Sequence, residues 1–185
     1  RGLGDVYKRQ ASRVAQNILE APVTIEKMDL LAIQNASTAD FMDQLEHIKG
    51  VKVSRGSMNF PAVNTRGFAT DANTRFVQLV DGMNNEAPGL NFSAGNLLGI
   101  NELDIQSVEL MPGAASALYG ANANKGILFM NSKNPFDFPG VSVSYKHGIT
   151  SQKAAGDNYY YDIALRAANK FSDKFAAKVS RLSAK

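Results

Sequence analysis

Hydrophobic positions follow two periods along this chain. Phe41, Leu45 and Ile48 recur four and three residues apart, the spacing of one helical face. That spacing predicts a helix over residues 38–49. Ser37 with Asp40 three residues on forms its N-cap pair, and Gly50 is placed to end it in a left-handed conformation. A short strand is expected at Val23–Glu26, then a shorter helix near Met28–Ile33, where Met28, Leu31 and Ala32 share a face. From Val51 the period falls to two, with Val51 and Val53 alternating with Lys52 and Ser54. Phe76–Val80 reads as a compact apolar strand running into Asp81-Gly82, a tight-turn signal. Ile105–Met111 is a further strand stopped by Pro112-Gly113. Ala114–Tyr119 reads as one helical turn and Ile127–Met130 as the last buried strand. The expected core is Val23, Ile25, Phe41, Leu45, Ile48, Val77, Leu79, Val108, Leu110, Ile127 and Phe129.

From Gly140 the pattern changes to sustained alternation. Val141, Val143, Tyr145, His147 and Ile149 alternate with Ser142, Ser144, Lys146, Gly148 and Thr150. After a polar loop over Ser151–Asn158, Tyr159, Tyr161, Ile163, Leu165 and Ala167 alternate with Tyr160, Asp162, Ala164, Arg166 and Ala168. A turn at Asn169–Lys174 leads to a third alternation at Phe175, Ala177 and Val179. Segments of about ten alternating residues suit membrane β-strands. They equally suit a soluble antiparallel sheet with one wet face, the commoner object.

Composition narrows the chemistry. With 185 residues, 44% hydrophobic and 20% charged, the chain can bury a core. It has no cysteine, so disulfides and thiolate chemistry are excluded within it. Its two histidines, His47 and His147, are too far apart to frame a multi-histidine metal site; His47 reads as a surface residue and His147 sits on the apolar side of its strand. The net charge is +3, of which the first ten residues supply +2, so no electrostatic footprint for nucleic acid is present. Those ten residues end in Asp5–Gln10, DVYKRQ, which looks like the translated end of a transposon-derived sequencing adapter. Residues 1–10 are expected to be an adapter-derived artefact, with any export signal upstream. Ser116 lacks a Gly-x-Ser-x-Gly frame, and Gly120–Gly126 has no Ser or Thr after its lysine, so neither a nucleophile elbow nor a P-loop is present. No catalytic residue, metal site or cofactor is expected, and the chain does not read as an enzyme.

Five segments, in order, resemble the plug domain of TonB-dependent outer-membrane receptors, particularly the large family in Bacteroidetes-type bacteria. ILEAPVTIEKMD (Ile18–Asp29) is similar to the plug's first strand. Asp40–Val53 resembles its helix and following strand. VNTRGF (Val63–Phe68) resembles the family's Arg-Gly strand, and FVQLVDGM (Phe76–Met83) its "vlvDG" hairpin. IQSVELMPGAASALYGANANKGILFMNSK (Ile105–Lys133) is similar over nearly its whole length to "IesvEvlrGpasalyGsnAxxGvinivtk". Departures are Met111-Pro112, where many members carry Leu-Arg, and the absence of a visible TonB box.

The resemblance implies an α/β plug domain, a small mixed sheet with short helices, over residues 11–135. The first antiparallel strands of a truncated transmembrane β-barrel follow at 140–185, where the family has about 22 strands. It implies a place in the outer membrane of a Gram-negative bacterium and energy-coupled uptake of a siderophore, cobalamin, glycan or peptide ligand. The implied partners are TonB (through an N-terminal box missing here), the protein's own barrel and outer-membrane lipid. The competing reading is a soluble α+β ligand-binding module with an antiparallel sheet. Arg66 and Glu109 match an Arg and a Glu that the family uses in an ionic lock between plug and barrel wall; without the resemblance they read as solvated charges at strand ends. Asp81-Gly82 reads as turn chemistry. Loops Asn64–Asn73 and Asn84–Asn96 match those facing the extracellular vestibule, where Met58, Phe60, Phe68, Met83 and Phe92 would offer apolar contact to ligand; local packing explains them equally well. If the strands are membrane strands, Val141, Val143, Tyr145, Ile163 and Leu165 are expected to face lipid. Ser142, Ser144, Lys146, Asp162 and Arg166 are expected to face the lumen.

Overall fold

The computed structural model describes residues 25–29, 31, 33, 40–57, 60–67, 72–93, 99–113, 119–120, 122–152 and 156–184. The expectations for residues 1–10, Val23, Ser37, Met58, Phe68 and residues 114–118 lie outside that set. The chain divides into two compact units: residues up to Gly99 with Gln106–Asn131, and Ile100–Ile105 with Ser132–Lys185.

The first unit is built on a five-stranded sheet of strands β1 (Glu26–Asp29), β4 (Phe76–Val80), β5 (Met83–Asn84), β6 (Ile105–Pro112) and β7 (Gly126–Ser132), in the order β1-β6-β7-β4-β5. β2 (Val51–Ser57) and β3 (Phe60–Thr65) form a separate antiparallel hairpin. β4 and β7 run parallel, with Val77 opposite Ile127 and Leu79 opposite Phe129. Parallel strands are covered on both faces, and Phe76–Leu79 and Gly126–Met130 are accordingly buried throughout. One core cluster joins Ile25, Val77, Leu79, Met111, Ala123, Ile127 and Phe129, with Tyr119 edge-on to Phe129 at 5.3 Å between ring centroids.

Three local expectations need correction. Met28 belongs to β1, paired with Val108 of β6 and buried, while Leu31 is 71% exposed. Cross-strand pairing thus outweighs the helical spacing at Met28, while Leu31 and Ile33 are helical as expected and Ile33 is buried. The segment Phe41–His47 is a 3-10 helix, shorter than expected, and its cap is Asp40, whose side chain accepts from Met42 N at 3.0 Å. At three residues per turn Met42 and Leu45 share a face, so Met42 is fully buried, whereas Ile48, at the extended C-cap, is only half-buried and not core. The local turns behave as expected. Gly50 has φ +81°, and Asp81-Gly82 has φ +48° and +83°, the two left-handed residues of a primed hairpin that pairs Val80 with Met83.

One junction ties four segments of this unit together. Lys125 O accepts from Gly113 N (3.0 Å) and from the Thr65 hydroxyl, while Lys125 N donates to Arg75 O at 2.9 Å. The next residue, Gly126, has φ +151°; a Cβ there would lie 2.9 Å from Met111 O and 3.1 Å from the Phe76 ring. Only glycine admits that approach.

The second unit is a three-stranded antiparallel sheet, β10 (Ala176–Ala184), β9 (Gly156–Lys170) and β8 (Gly140–Gln152), in that order. β8 and β9 stay paired to Gln152–Gly156, so Ser151, Gln152 and Gly156–Asn158 are strand residues and the loop expected over Ser151–Asn158 is corrected there. β9 and β10 join through residues 171–175, where Phe171 N donates to Phe175 O at 3.0 Å and the two rings lie 5.5 Å apart. Exposure alternates strictly along β8: Val141, Val143, Tyr145 and Ile149 are exposed, and Ser142, Ser144 and Lys146 are half-buried. On β9, Ile163 and Leu165 are exposed while Ala164, Arg166 and Ala168 are buried.

Replacing Gly126 by Ala is expected to weaken the β6–β7–β4 junction by ~1–3 kcal/mol. The measurement is amide hydrogen exchange in β6 and β7; rates equal to the wild type would mean that Met111 and Phe76 yield without cost.

Candidate functional site

Arg66 and Glu109 occupy different environments. Arg66 follows β3 with φ +58°, a left-handed conformation in a non-glycine residue, and is exposed. Its guanidinium covers Gly113: a Cβ on that glycine would fall 2.5 Å from Arg66 Nη2 and 2.9 Å from its Cζ. The Arg-Gly segment and the Pro112-Gly113 turn therefore meet, which sequence spacing alone does not reveal. Glu109 is 2% exposed on β6, with Lys27 of β1 opposite it in the register.

Of the five apolar loop residues, the structure brings two together. Phe60 and Phe92 pack edge to face at 6.0 Å and 89°. Met83 lies apart at the tip of the β4–β5 hairpin, 70% exposed. Met58 and Phe68 lie outside the described residues. The base of the first loop is pinned by buried asparagines that sequence reasoning treated as loop ends. Asn73 Nδ2 donates to Asn64 Oδ1 (2.9 Å) and Val63 O (3.2 Å), and Asn64 Nδ2 donates to Ser54 Oγ and Ala62 O (both 3.1 Å). Asn64 is a strand residue, 1% exposed, because both ends of its amide find partners there.

In the second unit an ionic cluster forms that the sequence reading missed. The 3-10 turn Glu102–Asp104 is capped by Asn101, whose Oδ1 accepts from Leu103 N at 3.0 Å. Asp104, 4% exposed, accepts from Arg166 Nε on β9 and from Lys178 Nζ on β10, both at 2.7 Å. Lys178 Nζ also donates to Ser132 Oγ (2.6 Å) and Lys133 O (3.0 Å), and Arg166 Nη1 donates to Phe138 O (3.0 Å). Lys133 Nζ donates to Leu103 O at 2.8 Å. Burial holds the Lys133 ammonium below its ordinary value, and Arg166 pushes in the same direction against the opposing pull of Asp104. Glu102 pairs with Lys146 of β8, and Asn101 Nδ2 donates to Leu165 O (3.2 Å) and Arg181 O (3.1 Å). The available signal was the polar side of the alternating strands, where Lys146, Arg166 and Lys178 fall beside Asp162: three cations with one acid call for further acids from elsewhere. Nothing in this arrangement pairs an acid with a base around an open cavity, and among the described residues no group of His, Asp and Glu has the makings of a metal site.

Comparison with known proteins gives this geometry its context. The vitamin B12 transporter BtuB of Vibrio vulnificus is 28% identical over 149 residues, covering 78% of this chain and 23% of the relative. The ferric yersiniabactin uptake receptor FyuA of Yersinia pestis superposes with a TM-score of 0.56 at 22% identity, over 86% of this chain and 24% of that one. The open form of the ferric-catecholate import receptor Fiu of E. coli K12 gives 0.63 at 17% identity, over 96% and 24% respectively. The chain thus spans about a quarter of the length of these relatives. The family model for the TonB-dependent receptor plug domain matches residues 17–127, more than half of the chain, so this chain belongs to the TonB-dependent receptors of the Gram-negative outer membrane and carries their plug.

Proposed function

We propose that this chain is the gate of an energy-coupled outer-membrane transporter: a plug that closes the pore of its own barrel and admits a scarce nutrient of the siderophore, cobalamin, glycan or peptide class when TonB engages a segment N-terminal to it. The observation that carries the reading is the succession of a plug-family domain by long strands with an apolar exposed side. β8, β9 and β10 have 13, 15 and 9 residues; about 9–11 suffice to cross a bilayer. The exposed Val141, Val143, Tyr145, Ile163 and Leu165 would face lipid, and Ser142, Ser144, Lys146, Asp162 and Arg166 the lumen. A soluble module would cover the first set with a protein core instead, yet Val141 and Val143 are 72% and 66% exposed. In this reading the β8–β9 connection lies on the extracellular side and residues 171–175 form a periplasmic turn.

Phe60, Phe92 and Met83 are assigned to the ligand-facing side of the plug, as rigid apolar surface. Arg66 and Glu109 are assigned to the ionic lock with the barrel wall. Arg66 supports this by its exposure at a positive-φ position, with its guanidinium lying over Gly113. Glu109 supports it as a carboxylate withdrawn from water, 2% exposed on β6.

Nitroxide labels at 143 and 144 in the complete protein, reconstituted in liposomes, test the strand assignment. The label at 143 is expected to be relaxed by oxygen and shielded from an aqueous relaxant, and that at 144 the reverse. Equal aqueous exposure would remove the membrane assignment. Val143→Arg is expected to cost ~2–4 kcal/mol near the midplane and Ser144→Arg much less, measured by reversible unfolding into denaturant from liposomes.

The lock is tested by Arg66→Ala and Glu109→Ala in the complete protein. Each is expected to raise small-solute leak through the barrel while leaving the barrel inserted. Leak equal to the wild type in both variants would return the two residues to ordinary structural roles.

A further inference from the structure

We propose that the turn Asn101–Asp104 is the anchor of the plug: it stays clamped to β8–β10 while the rest of the plug opens. The inference deepens the gating reading and rests on it, since it names the part of the gate that does not move. Its first support is reach. Within four residues the turn engages all three strands: Glu102 with Lys146 of β8, Asp104 with Arg166 of β9 and Lys178 of β10, and Asn101 with the carbonyls of Leu165 and Arg181. Its second support is burial. The side chains of Asp104 and Arg166 are 6% and 3% exposed, so salt does not screen them, and separating them strands a charge away from water.

The third support is connectivity. Asp104 directly precedes β6 and Ser132 closes β7, and these two strand ends are stitched to each other and to the same cations. Lys133 N donates to Asp104 O at 2.7 Å, Lys133 Nζ to Leu103 O, and Lys178 Nζ bridges Asp104, Ser132 and Lys133 O. A load applied elsewhere on the plug reaches this cluster at the start of one strand and the end of its neighbour together. Neither end can leave β10 without breaking the Lys178 bridge. The exposed ion pair of Asp43 with Arg55, between the 3-10 helix and β2, has no such backing.

The test is hydrogen exchange on the complete protein in liposomes under rising urea, which needs no ligand and stands apart from the leak measurements. The amides of Leu103, Asp104 and Lys133, each hydrogen-bonded here, are expected to open with β8–β10, at urea concentrations where the β2–β3 hairpin already exchanges. Asp104→Asn is expected to speed exchange at these three amides roughly tenfold or more, with β8–β10 unchanged. Lys178→Met, which keeps the Arg166 pair, is the milder variant if Asp104→Asn does not fold, and is expected to give an intermediate gain. Opening of the three amides together with β2–β3, or no change at them in either variant, would overturn the anchor. Both outcomes leave the transport reading to its own tests.

Discussion

A carboxylate withdrawn from water must have its charge answered on the spot, and in the strand-bearing unit that requirement falls on Asp104. Its two oxygens take Arg166 and Lys178 from two different strands, and its carbonyl takes the amide of Lys133. The polar side of β8–β10 reflects this demand: Arg166 and Lys178 meet Asp104 there, and Lys146 meets Glu102 of the same turn. Arg166 goes further and spends a second nitrogen on Phe138 O, so the link between β7 and β8 is set by the same side chain that answers the acid. The path of the chain between β7 and β8, and the seat of the turn before β6, are consequences of one ion finding its partners.

The first unit obeys a different rule, that of close approach. Where β3, β4, β6 and β7 crowd together, backbone replaces side chain: the Lys125 carbonyl serves two donors, and Gly126 lets Met111 and Phe76 come nearer than any Cβ would allow. Arg66 lies over Gly113 by the same logic. Gly113 and Gly126 of the longest family-like segment are thus positions where two pieces of chain share one space.

What was legible in the sequence was what is settled locally. Asp81-Gly82 announced its hairpin because positive φ angles belong to those two residues themselves. The alternation from Val141 onward announced which side of β8 and β9 is bare, because period two is a property of the strand. Met28 could not be read, since its strand exists only by pairing with Val108 far along the chain. Met42 and Ile48 exchanged places in the core because the chain chose three residues per turn instead of 3.6. Asp104 and Arg166 lie 62 positions apart, and Asp104 and Lys178 lie 74 apart, so no local window holds the pair. The exposed Arg66 and the buried Glu109 were singled out only because a family motif flagged them.

β8 runs 13 residues and, among the described residues, has a strand neighbour on one side alone. In hydrocarbon an open row of amides and carbonyls has nothing to bond with, so such a strand cannot cross a bilayer by itself. In water the same row is an invitation to another chain's edge. Under the membrane reading, that free edge of β8 is where a further strand pairs.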